Sequence, residues 1–587
     1  MKRKELLICD FAAEVKEKDR ISPKRTKDLW EITSYQTEKV SGNMLLAFSQ
    51  TMPKPVMVSP KISGWYRIYV CIADTWGGRI SLKLTDDEFD RVISMRDTHF
   101  YYNWYRAEIA EECLWKCADM TGQDVEISKI DDKQPNTANI LWLRFVPMDE
   151  DEVKAHLETR RDRTVLAHMD EDFHQYDSPK SIRDYCKCLY SMKDSDVGIV
   201  AQEVSNDIAQ FDYDPETVER TAFDEYRLEY SKVLHERRNE VYPEEITYAH
   251  KCGIKMFAAH RMQLANTEFL YSSKMYIIPF VSDHPELRCV SRDGTPCAFL
   301  SYAYNETQDF MINAMVENAE QGFDGLMHIW TRGQHIMFEE PVLQRFKEKF
   351  GSDVDCRRLP ASDERLMEIR GDIIVEFYRK LKKKLSVIAA KRGSQPMKIY
   401  MQVYYDLKHS KMDGLDVERL AAEGLIDGFI QTKISVWEKT DDLIKENGLL
   451  DIGEYTKKAK REIEYIYERD TREDDDLMTA QIPLYRAIAD KYGIDFYTDT
   501  HWENILRPDG CVKTAKRYFA AGAKSLMLWD CYPSRVVNLP EWNCNAQFGN
   551  ADKVEKMSEN NDDYFTVHKI LSYNGQNLLY NHPNWRA

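Results

Sequence analysis

The strongest constraint on the fold of this chain is a repeated pattern that begins near residue 164. Eight short apolar runs alternate with longer amphipathic stretches, and each of the last six runs follows a glycine-containing turn that closes a predicted helix. Alternating strands and helices predict a parallel sheet, and eight repeats predict its closure into a (β/α)8 barrel. The runs are residues 164–168, 197–201, 254–259, 325–330, 398–404, 426–430, 494–498 and 524–529.

A different pattern precedes the barrel. Short β-branched or aromatic runs, such as residues 65–72 and 140–146, are separated by turn signals such as Ser63-Gly64. This spacing predicts a β-sandwich or jelly-roll domain. The predicted fold class is therefore α/β, a TIM barrel preceded by a β-sandwich or jelly roll.

The predicted domain boundaries follow from these two patterns. The β-rich domain covers residues 1–150, the barrel covers 160–545, and residues 546–587 form a polar extension that wraps back onto one of the two domains. Trp65 and Trp76 of the first domain either fill its core and its seam with the barrel or stack on sugar rings. Core filling is the commoner role of aromatic side chains.

Charge disfavours several classes of partner, and cysteine content indicates the compartment. The formal net charge of −18 disfavours nucleic acid and anionic membranes, because phosphate binding needs a basic surface. The N-terminus has no apolar segment of the kind found in signal peptides, and no window is apolar enough to span a membrane. Thirteen scattered cysteines without a CxxC pair predict reduced structural thiols, and hence a cytoplasmic protein.

Polar residues follow every one of the eight predicted barrel strands. Active sites of such barrels lie where strands end and loops begin, so these residues are the candidates for function. A single carboxylate there is as well explained as a helix cap, but capping does not explain polar ends on all eight strands. Carboxylates carry out acid/base and nucleophilic steps in glycoside hydrolysis, and aromatic faces stack on sugars.

Two sets of site residues are predicted on this basis. The predicted catalytic residues are Asp406, Glu503 and Asp530. The predicted substrate-binding residues are Asp170, Glu203, His260, Arg261, Tyr304, His328, Trp330, Arg332, Asp499 and Trp502.

One segment of the first strand end has the residue types of a metal site. In His168-x-Asp170-x-Asp172-x-His174 the ligand types suit a metal, but nothing in the sequence fixes their geometry. A metal-dependent lyase or isomerase is therefore an alternative. The sequence has no GxGxxG, Walker or GxSxG motif, and we predict no cofactor.

Several motifs of the barrel resemble a known family. They include His284-Pro285-Glu286-Leu287-Arg288, residues 300–306, and residues 323–333, followed by Phe338-Glu339-Glu340-Pro341. The chain resembles the glycosyl-hydrolase-like family 10 barrel proteins, a largely uncharacterised bacterial group, across about residues 160–545. The resemblance implies a TIM barrel behind a β-domain and a hydrolase-like activity on glycosides.

One departure from the family pattern concerns the fourth strand. Where the family carries acidic residues, this chain has Met327 and His328. A catalytic pair would then come from other strands, such as Asp406 with Glu503 or Asp530, or Asp170 with Glu203. His328 is either a general acid, a substrate ligand or a hydrogen-bonded barrel-lining residue.

The function predicted from the sequence is a cytoplasmic glycoside hydrolase that acts on small glycosides or oligosaccharides. Its mechanism would be acid/base cleavage by two carboxylates at the barrel mouth. The missing acid on the fourth strand keeps a second hypothesis open, a sugar-binding barrel without catalysis. The predicted partner is a carbohydrate, with no nucleic acid and no membrane, and self-association stays open.

Overall fold

The structure is a computed structural model of the chain. It describes residues 3–73, 78–94, 109–130, 137–158, 161–169, 180–205, 216–219, 232–264, 278–331, 333–433, 443–461, 471–500, 508–529, 531, 539–559 and 565–577.

The first part of the chain forms two mainly antiparallel sheets. The larger sheet has the strand order β1-β12-β6-β9-β25-β3-β4-β11, with β2 and β26 at its side, and the smaller has the order β5-β10-β7-β8. The strands are β1 (Leu6–Ile8), β2 (Ile21–Ser22), β3 (Trp30–Thr37), β4 (Ser41–Ala47), β5 (Val56–Val58), β6 (Trp65–Ala73), β7 (Arg79–Leu84), β8 (Arg91–Ser94), β9 (Ile109–Asp119), β10 (Val125–Ser128), β11 (Ala138–Ile140), β12 (Trp142–Pro147), β25 (Phe565–Tyr573) and β26 (Gln576–Asn577).

These two sheets, here called the β unit, share one apolar core. Val70 and Leu143 of the large sheet and Leu82 and Ile127 of the small sheet belong to the same buried cluster. One set of alternating side chains supplies this core, and the opposite face of the large sheet carries a second buried cluster that includes Cys71, Trp142 and Ile570. Trp65 does not lie in that core: it is half-buried at the start of β6, with its ring 5.6 Å from that of His156.

The extension at the end of the chain completes the β unit. β25 lies between β9 and β3, antiparallel to both, so it joins the two halves of the large sheet. Its residues alternate, with Ile570 fully buried and Val567 exposed. The first and last strands of the described residues, β1 and β26, therefore belong to the same sheet.

The middle of the chain forms the predicted barrel, a closed sheet of eight parallel strands. Each of the eight predicted runs overlaps one of its strands. The barrel strands are β13 (Val165–Met169), β14 (Val197–Ser205), β15 (Lys255–Arg261), β18 (Gly325–Ile329), β19 (Lys398–Val403), β20 (Gly428–Gln431), β23 (Asp495–Asp499) and β24 (Ser525–Leu528), and two hairpins, β16 (Arg288–Val290) with β17 (Pro296–Leu300) and β21 (Ile444–Lys445) with β22 (Leu449–Leu450), lie outside it.

Helices connect and surround the strands. They are α1 (Phe11–Glu14), α2 (Glu150–Glu158), α3 (Lys187–Met192), α4 (Lys232–Arg237), α5 (Val241–Lys251), α6 (Pro279–Asp283), α7 (Asn305–Gln321), α8 (Glu340–Phe350), α9 (Glu364–Arg392), α10 (Leu407–Met412), α11 (Val417–Ala422), α12 (Ile452–Arg461), α13 (Thr471–Tyr492), α14 (Pro508–Ala521), α15 (Leu539–Asn545) and α16 (Ala551–Glu559).

Alternation along the strands separates two cores. One set of alternate residues, including Phe257, Met327 and Tyr400, forms a cluster inside the barrel. The other set packs against the helices in a larger cluster. Gly325 and Gly428 belong to the inner set, and a Cβ atom there would lie 2.6 Å from the Phe257 ring and 2.8 Å from the Tyr400 ring respectively. These two glycines leave room for the aromatic rings that fill the barrel interior.

The N-terminal end of the barrel is closed by ionic contacts. Lys553 of α16 donates to both oxygens of the buried Asp196 at 2.7 and 2.8 Å, and it lies 2.7 Å from Asp162. The Arg163 guanidinium donates to the carbonyl of Val197 at 2.8 Å. These contacts attach the last barrel helices to the start of the first two strands.

Two further properties follow from the coordinates. All thirteen cysteines are free thiols. Of the helices in the described ranges, none combines the length and apolarity that crossing a bilayer demands.

Candidate functional site

The inner set of barrel residues becomes polar at the C-terminal ends of the strands. Each of the eight strands contributes one such residue, which lies near the end of the strand or within two residues after it. Seven of these side chains are nearly fully buried, and Arg261 is partly exposed. Taken around the barrel from β13 to β24, this ring of inner residues consists of His168, Glu203, Arg261, Thr331, Gln402, Thr432, Asp499 and Trp529.

Glu203 is the central acid of this ring on β14. Its Oε1 atom lies 2.7 Å from Nε of Arg261 on the next strand, and its Oε2 atom lies 3.3 Å from Nε2 of His168 on the preceding strand. The side chains of Glu203 and His168 have no exposed surface. A cationic partner at this distance favours the ionised form of a buried carboxylate.

An aromatic pair continues the ring on the other side of His168. The Trp529 indole stacks on the His168 imidazole, with 4.2 Å between ring centroids and 17° between planes. This contact holds the imidazole between Trp529 and Glu203. Four neighbouring strands are thus linked by consecutive contacts from Trp529 through His168 and Glu203 to Arg261.

The remaining four residues form two hydrogen-bonded pairs. Thr432 donates from Oγ1 to Oδ2 of the buried Asp499 at 2.8 Å, across β20 and β23. Thr331 donates from Oγ1 to Oε1 of Gln402 at 2.7 Å, across β18 and β19. The ring therefore contains two carboxylates, Glu203 and Asp499, with the strands of His168 and Trp529 between them.

Three predicted substrate-binding residues lie on the other side of the barrel wall. His260, His328 and Trp330 are fully buried, and they alternate with the inner residues, so their side chains face the helices. Nδ1 of His328 forms a 3.0 Å hydrogen bond with the Tyr378 hydroxyl of α9, in which either group can be the donor. Trp330 donates to the same hydroxyl at 2.9 Å. The structure therefore places these three side chains in the barrel wall and not at the barrel mouth, because adjacent residues of a strand point to opposite faces, and their contact with substrate stays a prediction.

Burial also removes the acid role considered for His328. Desolvation, with a smaller effect of the neighbouring His260, lowers the pKa of His328 well below its usual value. Desolvation alone lowers the pKa of His260 to about 3. Both imidazoles are neutral near pH 7, and His328 serves as a hydrogen-bonded residue of the barrel wall.

Asp406, predicted to be catalytic, caps helix α10. Its Oδ1 atom accepts from the backbone N–H of His409 at 2.9 Å, and its Oδ2 atom contacts Nδ1 of the His409 ring. Burial acts to raise the pKa of Asp406, but the bonds from His409 outweigh it and lower the pKa. Both oxygens thus have partners in a helix cap.

Tyr304, predicted to bind substrate, directly precedes helix α7. It packs against the apolar layer between the strands and the helices. Burial, assisted by the charge of Glu339, raises the pKa of its phenol. Five other predicted site residues lie outside the described residues: Asp170, Arg332, Trp502, Glu503 and Asp530. Trp76 also lies outside them.

The motifs that carry the family resemblance stabilise the loop after β18. Buried Glu339 accepts from the Ser301 hydroxyl and from the backbone N–H of Met337 at 3.2 Å. His335 contacts the Trp330 carbonyl through Nε2 at 2.9 Å, and its own carbonyl accepts from the backbone of Tyr302 at 3.0 Å. These buried polar residues therefore connect the loops to one another.

Sequence reasoning did not select His168 as part of an acid/base group, nor Thr331, Gln402, Thr432 and Trp529 as site residues. The alternation of side chains along a strand, which repeats every two residues, identifies two of these residues. Counting in twos from the interior glycines Gly325 and Gly428 along their strands leads to Thr331 and Thr432.

The described part of the chain does not contain a metal site of recognisable composition. Within it, no three His, Cys, Asp or Glu side chains cluster closely enough to hold an ion. Of the predicted segment His168-x-Asp170-x-Asp172-x-His174, only His168 and Met169 lie in the described residues.

Comparisons with known proteins return only distant structural similarity. No family model matches the chain, and no curated protein matches it. Similar solved structures include the glycoside hydrolase domain of PgaB (BpsB) from Bordetella bronchiseptica, with 11% identity, 66% of this chain and 99% of that chain covered, and a TM-score of 0.41. Others are the catalytic domain of beta-amylase from Paenibacillus polymyxa (11%, 68% and 97%, TM-score 0.34) and the glycoside hydrolase domain of PelA from Pseudomonas aeruginosa (10%, 64% and 96%, TM-score 0.29). TM-scores below 0.5 do not define a shared site, and the family resemblance of the motifs stays a prediction.

Proposed function

We propose that the chain is a glycoside hydrolase whose reacting carboxylates are Glu203 and Asp499. One observation carries the proposal: both acids lie on the inner face of the barrel at the C-terminal ends of β14 and β23, among the eight residues of the inner ring. Buried acids at this end of a barrel are placed for chemistry on a substrate that enters the mouth. Two carboxylates are the machinery that glycoside hydrolysis uses.

The surroundings of Glu203 suit a carboxylate that is ionised when the reaction begins. Arg261 provides a positive charge 2.7 Å from one oxygen, and His168 holds the other side of the carboxylate at 3.3 Å. An ionised carboxylate serves as nucleophile or as the base that activates water. In this proposal Asp499 is the partner that protonates the leaving group, and Thr432 orients it.

Asp530 and Glu503 remain further candidates from the sequence. Asp530 follows Trp529 directly, and Glu503 comes four residues after the end of β23. Asp406 is the weakest of the predicted acids, because its two oxygens cap α10. We therefore rank Glu203 and Asp499 above the three acids predicted from the sequence.

A panel of aryl glycosides and short oligosaccharides, assayed with and without EDTA, tests the proposed activity. The proposal predicts release of the aglycone or of a shorter sugar, at a rate that EDTA leaves unchanged. Loss of all release in EDTA, with recovery on adding back a divalent metal, would favour the metal-dependent lyase or isomerase and contradict the proposal.

A sugar-binding barrel without catalysis is the second candidate, and one observation favours it. The inner residues of β18 are Gly325, Met327 and Ile329, all buried and apolar, so the fourth strand contributes no acid to the interior. This candidate predicts that a panel sugar raises the melting temperature while no product appears. Product release by the wild-type chain would exclude it.

The β unit supports the barrel in this proposal. The shared core of its two sheets favours the predicted sandwich arrangement. The Asn543 side chain of α15 donates to the Leu114 carbonyl of β9 at 2.6 Å, which ties the barrel helices to the large sheet.

A further inference from the structure

The side-chain amide N–H group of Gln402 is buried without an acceptor among the described residues. It is fully buried at the end of β19, on the inner face of the barrel together with Tyr400. Its Oε1 atom accepts the hydrogen bond from Thr331, which fixes the orientation of the amide. Among the described residues, Nε2 has no hydrogen-bond partner.

An amide N–H group in this state is costly. A buried donor without an acceptor destabilises a protein by about 1–3 kcal/mol, and such a group in a native protein calls for an explanation, such as a functional role or a bound water or ion. Glutamine is also an unusual choice for a barrel interior, where apolar side chains such as Ile329 and Ile430 would pack without this cost. The position therefore calls for an acceptor that the described residues do not provide.

The location of Gln402 suggests the nature of that acceptor. Around the ring, Gln402 on β19 is followed by Thr432 on β20 and Asp499 on β23. A group bound by Gln402 would lie two strands from the proposed leaving-group acid. A neutral amide donates well to hydroxyl oxygens, which a sugar carries on most of its carbons.

We propose that Gln402 is a specificity-determining residue whose Nε2 donates a hydrogen bond to one hydroxyl group of the sugar bound beside Asp499. This inference rests on the proposed glycosidase function. It predicts that the chain discriminates against the one substrate analogue that lacks this hydroxyl, and that Gln402 is the cause.

The test compares kcat and KM for the panel aryl glycoside with the highest turnover and for its 2-, 3-, 4- and 6-deoxy analogues. The wild-type chain should show KM about tenfold higher for one analogue, the loss expected for one hydrogen bond. Gln402→Glu retains the acceptor for Thr331 and the shape of the side chain but loses the donor. It should raise KM for the parent glycoside about tenfold and leave KM for that one analogue within a factor of about two.

A second variant keeps the test valid if a charge in the barrel disturbs folding. Thr331→Val with Gln402→Met removes the whole hydrogen-bonded pair without leaving either group unsatisfied, and it should abolish the same discrimination. Gln344→Leu, on the exposed face of α8, is the matched control and should behave as wild type.

The outcomes separate this inference from the proposed function. If the wild type turns over the glycoside and both variants still discriminate against the deoxy analogue as the wild type does, only the role of Gln402 is overturned. A trapped water would then be the acceptor of its amide. Absence of turnover and of sugar-induced stabilisation across the panel would overturn the proposed function and this inference together.

Discussion

Glu203 and Arg261 are neighbouring members of the inner ring and form a charged pair, with 2.7 Å between Oε1 and Nε. Removing one partner of a buried pair leaves the other charge uncompensated, which costs about 3–5 kcal/mol. We expect Arg261→Met to lower the stability of the barrel by this amount. The measurement is the change in denaturant midpoint, converted with the slope of the unfolding transition.

The control for this prediction is an ion pair on the surface. Arg379→Met breaks the exposed pair with Glu423 and should change stability by less than about 1 kcal/mol. Adding Glu203→Gln to Arg261→Met should recover part of the loss, because the lone charge disappears. An Arg261→Met protein as stable as the Arg379→Met protein would show that the pair is not buried in solution.

Glu112 of the β unit provides a prediction on pH. Burial acts to raise its pKa, but His568 at 3.9 Å together with hydrogen bonds from Arg144 and Trp142 lowers it from 4.5 to about 2. A folded pKa below the unfolded value stabilises the protein above pH 4.5, and this contribution, roughly 3 kcal/mol, is lost as the pH falls toward 2.

The Glu112→Gln variant isolates this effect. We expect it to melt at a lower temperature than wild type at pH 7, with the gap narrowing steadily between pH 5 and pH 3. Thermal melts at several pH values, followed by circular dichroism, measure both. A gap that stays constant across this range would mean that the carboxylate is not the titrating group.

At the residue scale, the sequence predicted where the barrel strands end, but not which side chains face the barrel interior and which face the helices. Glu203, Arg261 and Asp499 were predicted and lie in the inner ring, whereas His260, His328 and Trp330 face the helices. The difference is one residue along a strand, and all three misplaced residues are aromatic or basic types that attract attention in either position. Composition alone cannot tell the two faces apart, because both are fully buried.

At the scale of elements, β25 is the clearest case of tertiary structure that local pattern did not reveal. It pairs with β9 and β3 in the middle of the large sheet, although it follows the barrel in sequence. Sequence reasoning treated this stretch as a polar extension, because its flanks are rich in asparagine. The eight barrel strands were predictable, since each stands alone between amphipathic helices.

Two substitutions on opposite faces of β25 test its place in the sheet. Ile570→Ala removes a fully buried side chain and should cost about 2–5 kcal/mol, whereas Val567→Ala alters a side chain that is 54% exposed and should change stability by less than about 0.5 kcal/mol. Differential scanning calorimetry measures both. Equal effects of the two substitutions would contradict the pairing of β25.

At the scale of the whole molecule, the first and last segments of the chain enclose the barrel in sequence and form one β unit in space. The sequence predicted the order of a β-rich part and a (β/α)8 barrel, because the change in hydrophobic period between them is visible. It predicted that the last residues wrap back onto one of the two domains, but not that they form a central strand, because that depends on pairing between strands more than 450 residues apart. The inner ring is likewise a product of barrel closure, since it brings His168 of the first strand against Trp529 after the last.

Whether Glu203 and Asp499 are the reacting carboxylates is tested by measuring kcat/KM of three variants on the glycoside with the highest turnover. We expect Glu203→Gln and Asp499→Asn each to lower kcat/KM by about 10²–10⁴-fold while their melting temperatures show a folded protein. The matched control, Glu376→Gln, changes a half-buried acid of α9 that pairs with Arg345 and should retain wild-type activity. Wild-type turnover in both ring variants would contradict the account and return the chemistry to Glu503 and Asp530.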